Sequence, residues 1–323
     1  MSVNVHKFIA GKDDHGRRVD RIIRKLFPKL PLSFIYKLLR QGKIKINGRK
    51  CKNSTVIAEH DVLEIYSDLY KPYECININT SRKTPYCQNI KDIASFLWIY
   101  ENEDILILNK PRGIEVHGAN SIAESAKYSL QNNSSLSFVP APVHRLDKNT
   151  SGLLVLATSL AGAKIMSKAL HDKTIQKHYL AVLEGTIESD IALVHFLSRD
   201  TTRKITRVYT AYNVNCHEGK LVIHPLLVNS KFTLAEIDLI TGFTHQIRAQ
   251  CSAIMHPLAG DKKYRSTLSI PYYFLHAWRL CNLDTLFTKC PHEIRAQLTK
   301  EQLEYLEHYF DFSSEQLASL GIV

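Results

Sequence analysis

Apolar residues recur along this chain at two periods, and the switches between them mark out its elements. Val19, Ile22, Ile23 and Leu26 stand at helical spacing, with Arg21, Arg24 and Lys25 on other faces, which predicts a helix over residues 17–27. Pro28 and Pro31 end it. Ser33 is the expected N-cap of a second helix with the stripe Ile35, Leu38 and Leu39, and Gly42 is its stop. The period then drops to two at Lys43-Ile44-Lys45-Ile46, and Asn47-Gly48 signals a type I′ hairpin. Residues 62–65 read as another strand. The pattern lapses between 71 and 96, a stretch with prolines and many small polar residues that is expected to be a linker. It returns as a hairpin, with strands at 97–100 and 105–108 joined by a polar turn at 101–104. Helices are expected at 121–131, 160–171 and 244–254, and strands at 153–157, 182–183 and 234–240. Residues 300–309 also look helical. Helices and strands interleave irregularly and the hairpins imply antiparallel pairing, so the fold class is α+β. The expected units are a small one at 1–70, the linker at 71–96 and a larger one at 97–323.

Charge sharpens this division. The 323 residues carry a net +11. Residues 1–71 hold 16 Lys and Arg against 7 Asp and Glu, whereas the remaining 252 hold 26 against 24. The excess therefore sits in the small unit and points to an anionic partner. A hydrophobic content of 45% supports a sizeable core for the remainder. The 7 cysteines include no CxxC pair, and the histidines show no HExxH or HxxxH spacing, so a metal site has no support. Odd cysteine number and no signal-peptide pattern point to a reducing cytoplasm. No apolar stretch reaches the ~20 residues of a membrane span. Nothing demands an oligomer, so a monomer is expected.

The run His144-Arg145-Leu146-Asp147-Lys148-Asn149-Thr150-Ser151-Gly152 concentrates the candidate chemistry. It places one carboxylate, Asp147, in a polar loop directly before the apolar strand, where a rigid scaffold can present it to a ligand. By itself an Asp before Asn-Thr-Ser is an ordinary turn residue. The nine residues together, however, resemble the signature of the RluA-type pseudouridine synthases, in which this Asp is the catalytic residue. Further segments resemble the same family: Asn109-Lys110-Pro111 with His117, Lys177-His178-Tyr179-Leu180-Ala181-Val182, Gly242-Phe243-Thr244-His245-Gln246-Ile247-Arg248, His256 to Tyr264, and Leu275-His276-Ala277. One position departs, because Phe243 stands where the family commonly has Arg, which puts an RNA or turn contact in doubt. Helix, helix and a basic hairpin ending in Lys-Ile-Asn-Gly resemble the S4 RNA-binding domain. Lys37, Arg40, Lys43, Lys45 and Arg49 would be its phosphate-facing surface.

The resemblance implies isomerisation of uridine to pseudouridine within RNA, on a mixed, largely antiparallel sheet with flanking helices. Asp147 would act first, on the sugar or on the base ring. Tyr179 would stack on the pyrimidine or serve as a base; its plain alternative is strand packing. Arg248 would pair with Asp147 and hold it ionised, the alternative being a surface Arg. Arg145 would fill the space left by the uridine when it leaves its stack. No cofactor or metal is required. An S4 domain in front of the synthase unit is typical of members acting on 23S ribosomal RNA, with the RluC type the nearest pattern and the RluD type also open. The alternatives are a synthase acting on transfer RNA, a noncatalytic RNA-binding assembly factor, and, with least support, a metal-dependent hydrolase.

Overall fold

The computed structural model describes residues 5–66, 96–131, 134–212 and 214–322. The expected linker at 71–96 lies outside them but for Phe96, as do Cys75 and Cys87.

The N-terminal unit runs β1 (Val5–Ile9), β2 (Arg17–Arg18), α1 (Val19–Leu26), α2 (Leu32–Arg40), β3 (Ile44–Ile46), β4 (Arg49–Lys50), β5 (Val56–Ile57) and β6 (Val62–Tyr66). Its sheet has the order β1-β6-β3-β4. The helical stripes named above bury Ile22, Ile23, Leu26, Ile35, Leu38 and Leu39 against Ile44 and Leu63 of that sheet. The first helix is shorter than the periodicity predicts, because Arg17 and Arg18 pair with Val56 and Ile57 as β2–β5. Ser33 does not cap the second helix. Pro31 is the N-cap residue and Ser33 falls inside the first turn, since Pro already supplies a fixed φ at a helix start. The Asn47-Gly48 turn is as expected: both residues have positive φ, 49° and 75°, and Ile46 faces Arg49.

The larger unit runs β7 (Leu97–Glu101), β8 (Ile105–Lys110), α3 (Ile122–Ser129), β9 (Ala141–Pro142), β10 (Ser151–Ala157), α4 (Leu160–His171), β11 (Gln176–Glu184), β12 (Ile191–Asp200), β13 (Ile205–Tyr209), β14 (His217–Val228), β15 (Phe232–Leu239), α5 (Gln246–Ala253), β16 (Leu275–Cys281), β17 (Glu293–Arg295), α6 (Lys300–Phe310) and α7 (Ser314–Ser319). Its strands form one 11-stranded sheet in the order β13-β12-β14-β15-β11-β16-β10-β8-β7, with β17 beside β16 and β9 beside β10. Pairing is antiparallel except between β10 and β16. The expected α+β class, with a mixed and largely antiparallel sheet, is what this architecture displays. The continuous apolar run of β10 is explained by burial of all seven of its residues. The C-terminal segment, helical as expected at 300–309, closes one face of the sheet: Tyr305, Leu306, Phe310 and Phe312 pack with Leu180, Leu234 and Trp278.

Asp14 fastens the N-terminal unit to the larger one. It is fully buried. Its carboxylate accepts from Gly11 N at 2.9 Å, Leu136 N at 3.0 Å, Ser135 Oγ at 3.2 Å and Ser137 Oγ. Leu136 in turn packs into the core of the N-terminal unit.

A second ionic cluster bridges strands of the large sheet. His178 Nδ1 lies 2.5 Å from Asp238 Oδ1 and 2.9 Å from Glu236 Oε1, and Arg279 bonds both Glu236 and Glu293. Burial opposes the imidazolium, but the hydrogen bonds to Asp238 and Glu236 outweigh it and raise the His178 pKa to about 9 from its usual 6.5. A raised pKa contributes stability that is complete below pH 6.5 and is lost as pH rises through about 9. Urea denaturation at pH 6 and pH 9.5 should therefore show wild type losing on the order of 2 kcal/mol more than His178→Gln does. Equal losses in the two proteins would contradict this.

Candidate active site

Asp147 sits in the turn that leads into β10, and backbone contacts fix that turn. Thr150 N donates to Asp147 O at 3.0 Å, and Gly113 N donates to Lys148 O at 2.8 Å. Gly152 then lets β10 run against β16. Its φ is +105°, and a Cβ there would stand 2.2 Å from Ala277 O. Only glycine permits both the dihedral and the approach. Ser151 Oγ meets His276 Nδ1 at 2.8 Å, and His276 Nε2 meets Ala296 O at 2.8 Å. Burial lowers the His276 pKa to about 4, so the ring is neutral; Nε2 donates to the carbonyl and Nδ1 accepts from the serine.

The Asp147 side chain is 15% exposed and looks into a cleft of about 680 Å³. Arg248 on α5 reaches it, with Nη1 2.9 Å from Asp147 Oδ2. The same guanidinium forks onto Asp261, Nε to Oδ2 at 2.6 Å and Nη2 to Oδ1 at 2.9 Å. It lies 4.5 Å from the centre of the Tyr273 ring and 5.0 Å from that of Tyr264. Burial works against the Arg248 charge, but the bonds to Asp261 and the nearby carboxylates outweigh it and raise the pKa. Arg248 is thus a fixed cation, buried between two carboxylates.

His245 precedes that helix in the left-handed region, with φ 59°. The expected helix of residues 244–254 accordingly starts two residues later. Tyr264 Oη accepts from Thr206 N at 2.8 Å and lies 2.8 Å from His245 Nδ1. The tyrosine proton is therefore free for Nδ1, which leaves Nε2–H facing Asp147 Oδ2 at 3.6 Å. The reverse tautomer would turn a lone pair toward the carboxylate. Burial lowers the His245 pKa to about 4, so the ring is neutral at pH 7. Both neighbours contact Oδ2, and Oδ1 carries no contact among the described residues.

Tyr179 on β11 is buried and lines the cleft. Burial, and then the charge of Asp147, raise its pKa. A phenol that holds its proton so firmly is a poor base, which favours a wall or stacking surface over a proton acceptor. Arg145 is exposed and also lines the cleft. Phe243 shows what the departure at that position does locally: its backbone N still donates to Gln246 Oε1 at 3.0 Å, and its ring meets His217 with centroids 4.9 Å apart. The turn therefore survives without an arginine. Of the basic residues in the N-terminal unit, Lys37, Arg40, Lys43 and Arg49 are exposed, and Lys45 Nζ lies 4.6 Å over the Tyr66 ring. None of the five lines the cleft.

The sequence reading missed three members of this site: Asp261, His245 and Lys110. Each lies in a segment noted for its resemblance to the family, with no role of its own assigned. No spacing rule links Asp261 to an arginine 13 residues earlier. Lys110 is fully buried. Its Nζ donates to Pro111 O at 2.9 Å, Ile114 O at 2.9 Å and Lys148 O at 3.2 Å. Burial pulls its pKa down to about 7, while the charge of Asp147 pulls the other way. Three carbonyls call for the three N–H groups of an ammonium, so we read the residue as the cation that braces the Asp147 loop.

As for metals, His178, Glu236 and Asp238 bring their ligand atoms within 4.8 Å of one another. In the structure these groups bond one another: His178 meets both carboxylates and Arg279 bonds Glu236. Replacing Lys110 by Met should take this donor from Pro111 O and Ile114 O, while Lys148 O keeps Gly113 N, and cost about 1–3 kcal/mol in urea denaturation. A variant as stable as wild type would refute the bracing role.

Residues 104–253 match the family described as RNA pseudouridylate synthase, and residues 17–63 match the S4 domain. The ribosomal large subunit pseudouridine synthase C of Vibrio cholerae is 27% identical over 277 residues, covering 82% of this chain and 85% of the relative. Its Escherichia coli counterpart is 28% identical over 256 residues, covering 78% and 77%. Among solved structures, human RNA Pseudouridylate Synthase Domain Containing 4 superposes with a TM-score of 0.56 at 19% identity, over 65% of this chain and 92% of that one. That likeness concerns the fold. The chain is an RNA pseudouridine synthase whose synthase unit matches the RNA pseudouridylate synthase family and which carries an S4 domain ahead of it.

Proposed function

We propose that the protein isomerises specific uridines of 23S ribosomal RNA, with Asp147 as the catalytic carboxylate, residues 1–70 as the RNA-binding domain and 97–323 as the catalytic domain. The observation that carries the reading is the 2.9 Å contact between Arg248 Nη1 and Asp147 Oδ2 at the wall of a cleft that also presents Tyr179. Arg248 holds one oxygen of Asp147 in place, which leaves Oδ1 as the oxygen free to act. In the reaction the N1–C1′ bond breaks, the uracil turns, and C5 bonds to C1′ while the C5 proton leaves and N1 regains one. The half-apolar cleft suits an uncharged pyrimidine against Tyr179. Each step draws on groups of this chain and the uridine itself.

The large-subunit target is supported by the names of the two relatives above, which span most of their length on this chain, and by the basic N-terminal unit. A cytoplasmic, monomeric enzyme fits a substrate of this kind. Arg145 stands at the cleft mouth, exposed, where a planar cation can stack in the space left by a displaced base.

The test is pseudouridine formation on unmodified 23S ribosomal RNA transcripts, mapped by carbodiimide-dependent stops of reverse transcription. Wild type should give stops at discrete uridines, and Asp147→Asn should lower the rate by about a thousandfold or more. Activity retained in Asp147→Asn would reject the catalytic assignment, and stops confined to transfer RNA would reject the target. Arg145→Ala should raise KM on structured RNA by about tenfold or more and change kcat less. An unchanged KM would remove its role in displacing the base.

A further inference from the structure

A second cleft, of about 360 Å³, adjoins the first, and its lining is different in kind. The first cleft offers Tyr179, Leu239, Phe243, Ile247 and Leu275 among its walls. The second gathers Arg145, Lys148, Arg199, Lys204 and Lys263, with Glu115 as the acid besides Asp147. The acids that could neutralise these cations are engaged elsewhere. Asp200, next to Arg199, pairs with Arg207 at 2.7 Å. Asp261, two residues before Lys263, is committed to Arg248. Arg199, Lys204 and Lys263 have no ion pair among the described residues; Arg199 Nη1 only donates to Thr206 Oγ1 at 3.3 Å. The like charges are felt: burial, and then Arg248 and Arg199, lower the pKa of Lys263. A fold that crowds cations from β12, the β12–β13 turn and the 262–264 turn into one concavity, with Glu115 and the Arg248-bound Asp147 as its acids, leaves positive charge in excess and is suited to an anion supplied from outside.

The two clefts meet at Arg145, Leu146, Asp147, His245 and Arg248, which line both. A nucleotide whose base lies beside Tyr179 must send its sugar past Asp147, and its backbone then emerges in the cationic cleft. We propose that Arg199, Lys204 and Lys263 form a binding site for the phosphodiesters that flank the target uridine. The inference rests on the RNA-modifying reading and adds the subsite that fixes the strand's path beside the carboxylate. Such contacts position the strand and carry no base information.

The probe is the trinucleotide UpUpU beside its analogue with both linkages replaced by neutral methylphosphonates, with binding measured by calorimetry from 50 to 300 mM KCl. Wild type should prefer the charged trinucleotide by about tenfold or more at 50 mM, and log Kd should change with log salt with a slope of about 1.4 for two phosphates. The Arg199→Gln/Lys204→Gln/Lys263→Gln variant should lose most of that preference, to about twofold or less, and bind the neutral analogue as wild type does. Lys204→Gln/Lys263→Gln keeps Arg199 on Thr206 and guards against a local folding defect. It should lose an intermediate share. A preference that survives intact in both variants, or is absent from wild type, overturns the inference. Binding does not require turnover. A wild type that prefers the charged strand yet forms no pseudouridine would therefore sink the catalytic reading and leave this one standing.

Discussion

The site depends on one buried guanidinium shared by two carboxylates. Arg248 cannot leave its place without stranding Asp147 and Asp261, and in a poorly solvated setting an unpaired charge costs several kcal/mol. Asp261 takes both ends of the fork and thereby fixes the plane of the guanidinium. The remaining Nη1 then points in one direction, toward Asp147 Oδ2. The rings of Tyr264 and Tyr273 close off the guanidinium, so water does not compete for its donors. The Asp147 carboxylate is thus held by a residue that touches it at one oxygen and leaves the other available.

The scaffold beneath this arrangement supplies rigidity where, among the described residues, the sheet's strand pairing turns parallel. β10 and β16 are the parallel pair in an otherwise antiparallel sheet, and Asp147 lies at the start of β10. Gly152 allows the strands to approach, and the Ser151–His276 bond locks them. Lys110 gathers the 110–114 and 147–150 loops onto one ammonium. These residues bear on the geometry of Asp147 alone, and none needs to meet the substrate. The division between an aromatic, half-apolar cleft and a cationic one follows from the same construction. Strands β11 and β16 present Tyr179 and Leu275 to one cleft, and β12 with the 262–264 turn presents Arg199 and Lys263 to the other. A nucleotide has the same polarity, a flat apolar base at one end and a charged backbone at the other.

Much of this was legible in the sequence, and the reasons differ by residue. The helices of the N-terminal unit, the Asn47-Gly48 turn, the first hairpin of the larger unit and the strand after Asp147 follow from local periodicity and turn chemistry, which act over a few residues. Ser33 shows the limit of the same reasoning, since a proline two residues earlier had already set the helix start. Asp147, Tyr179 and Arg248 were found because each lies in a short segment resembling a family motif. Their order carried more information than any one residue's environment.

The sequence by itself determined which residues could be reactive, which segments would form strands and helices, and that basic charge would collect at the N-terminal end. It did not determine who would share Arg248, which lysine would be buried, or which neutral histidine would face the carboxylate. Those are contacts between residues 13, 38 and 101 positions apart. They exist because strands distant in the chain become neighbours in the sheet and bring their loops to one end. Periodicity reports the face on which a side chain lies. Only the folded sheet decides which other loop that face meets, and it is there, with water excluded, that charge pairing becomes strong enough to fix a carboxylate.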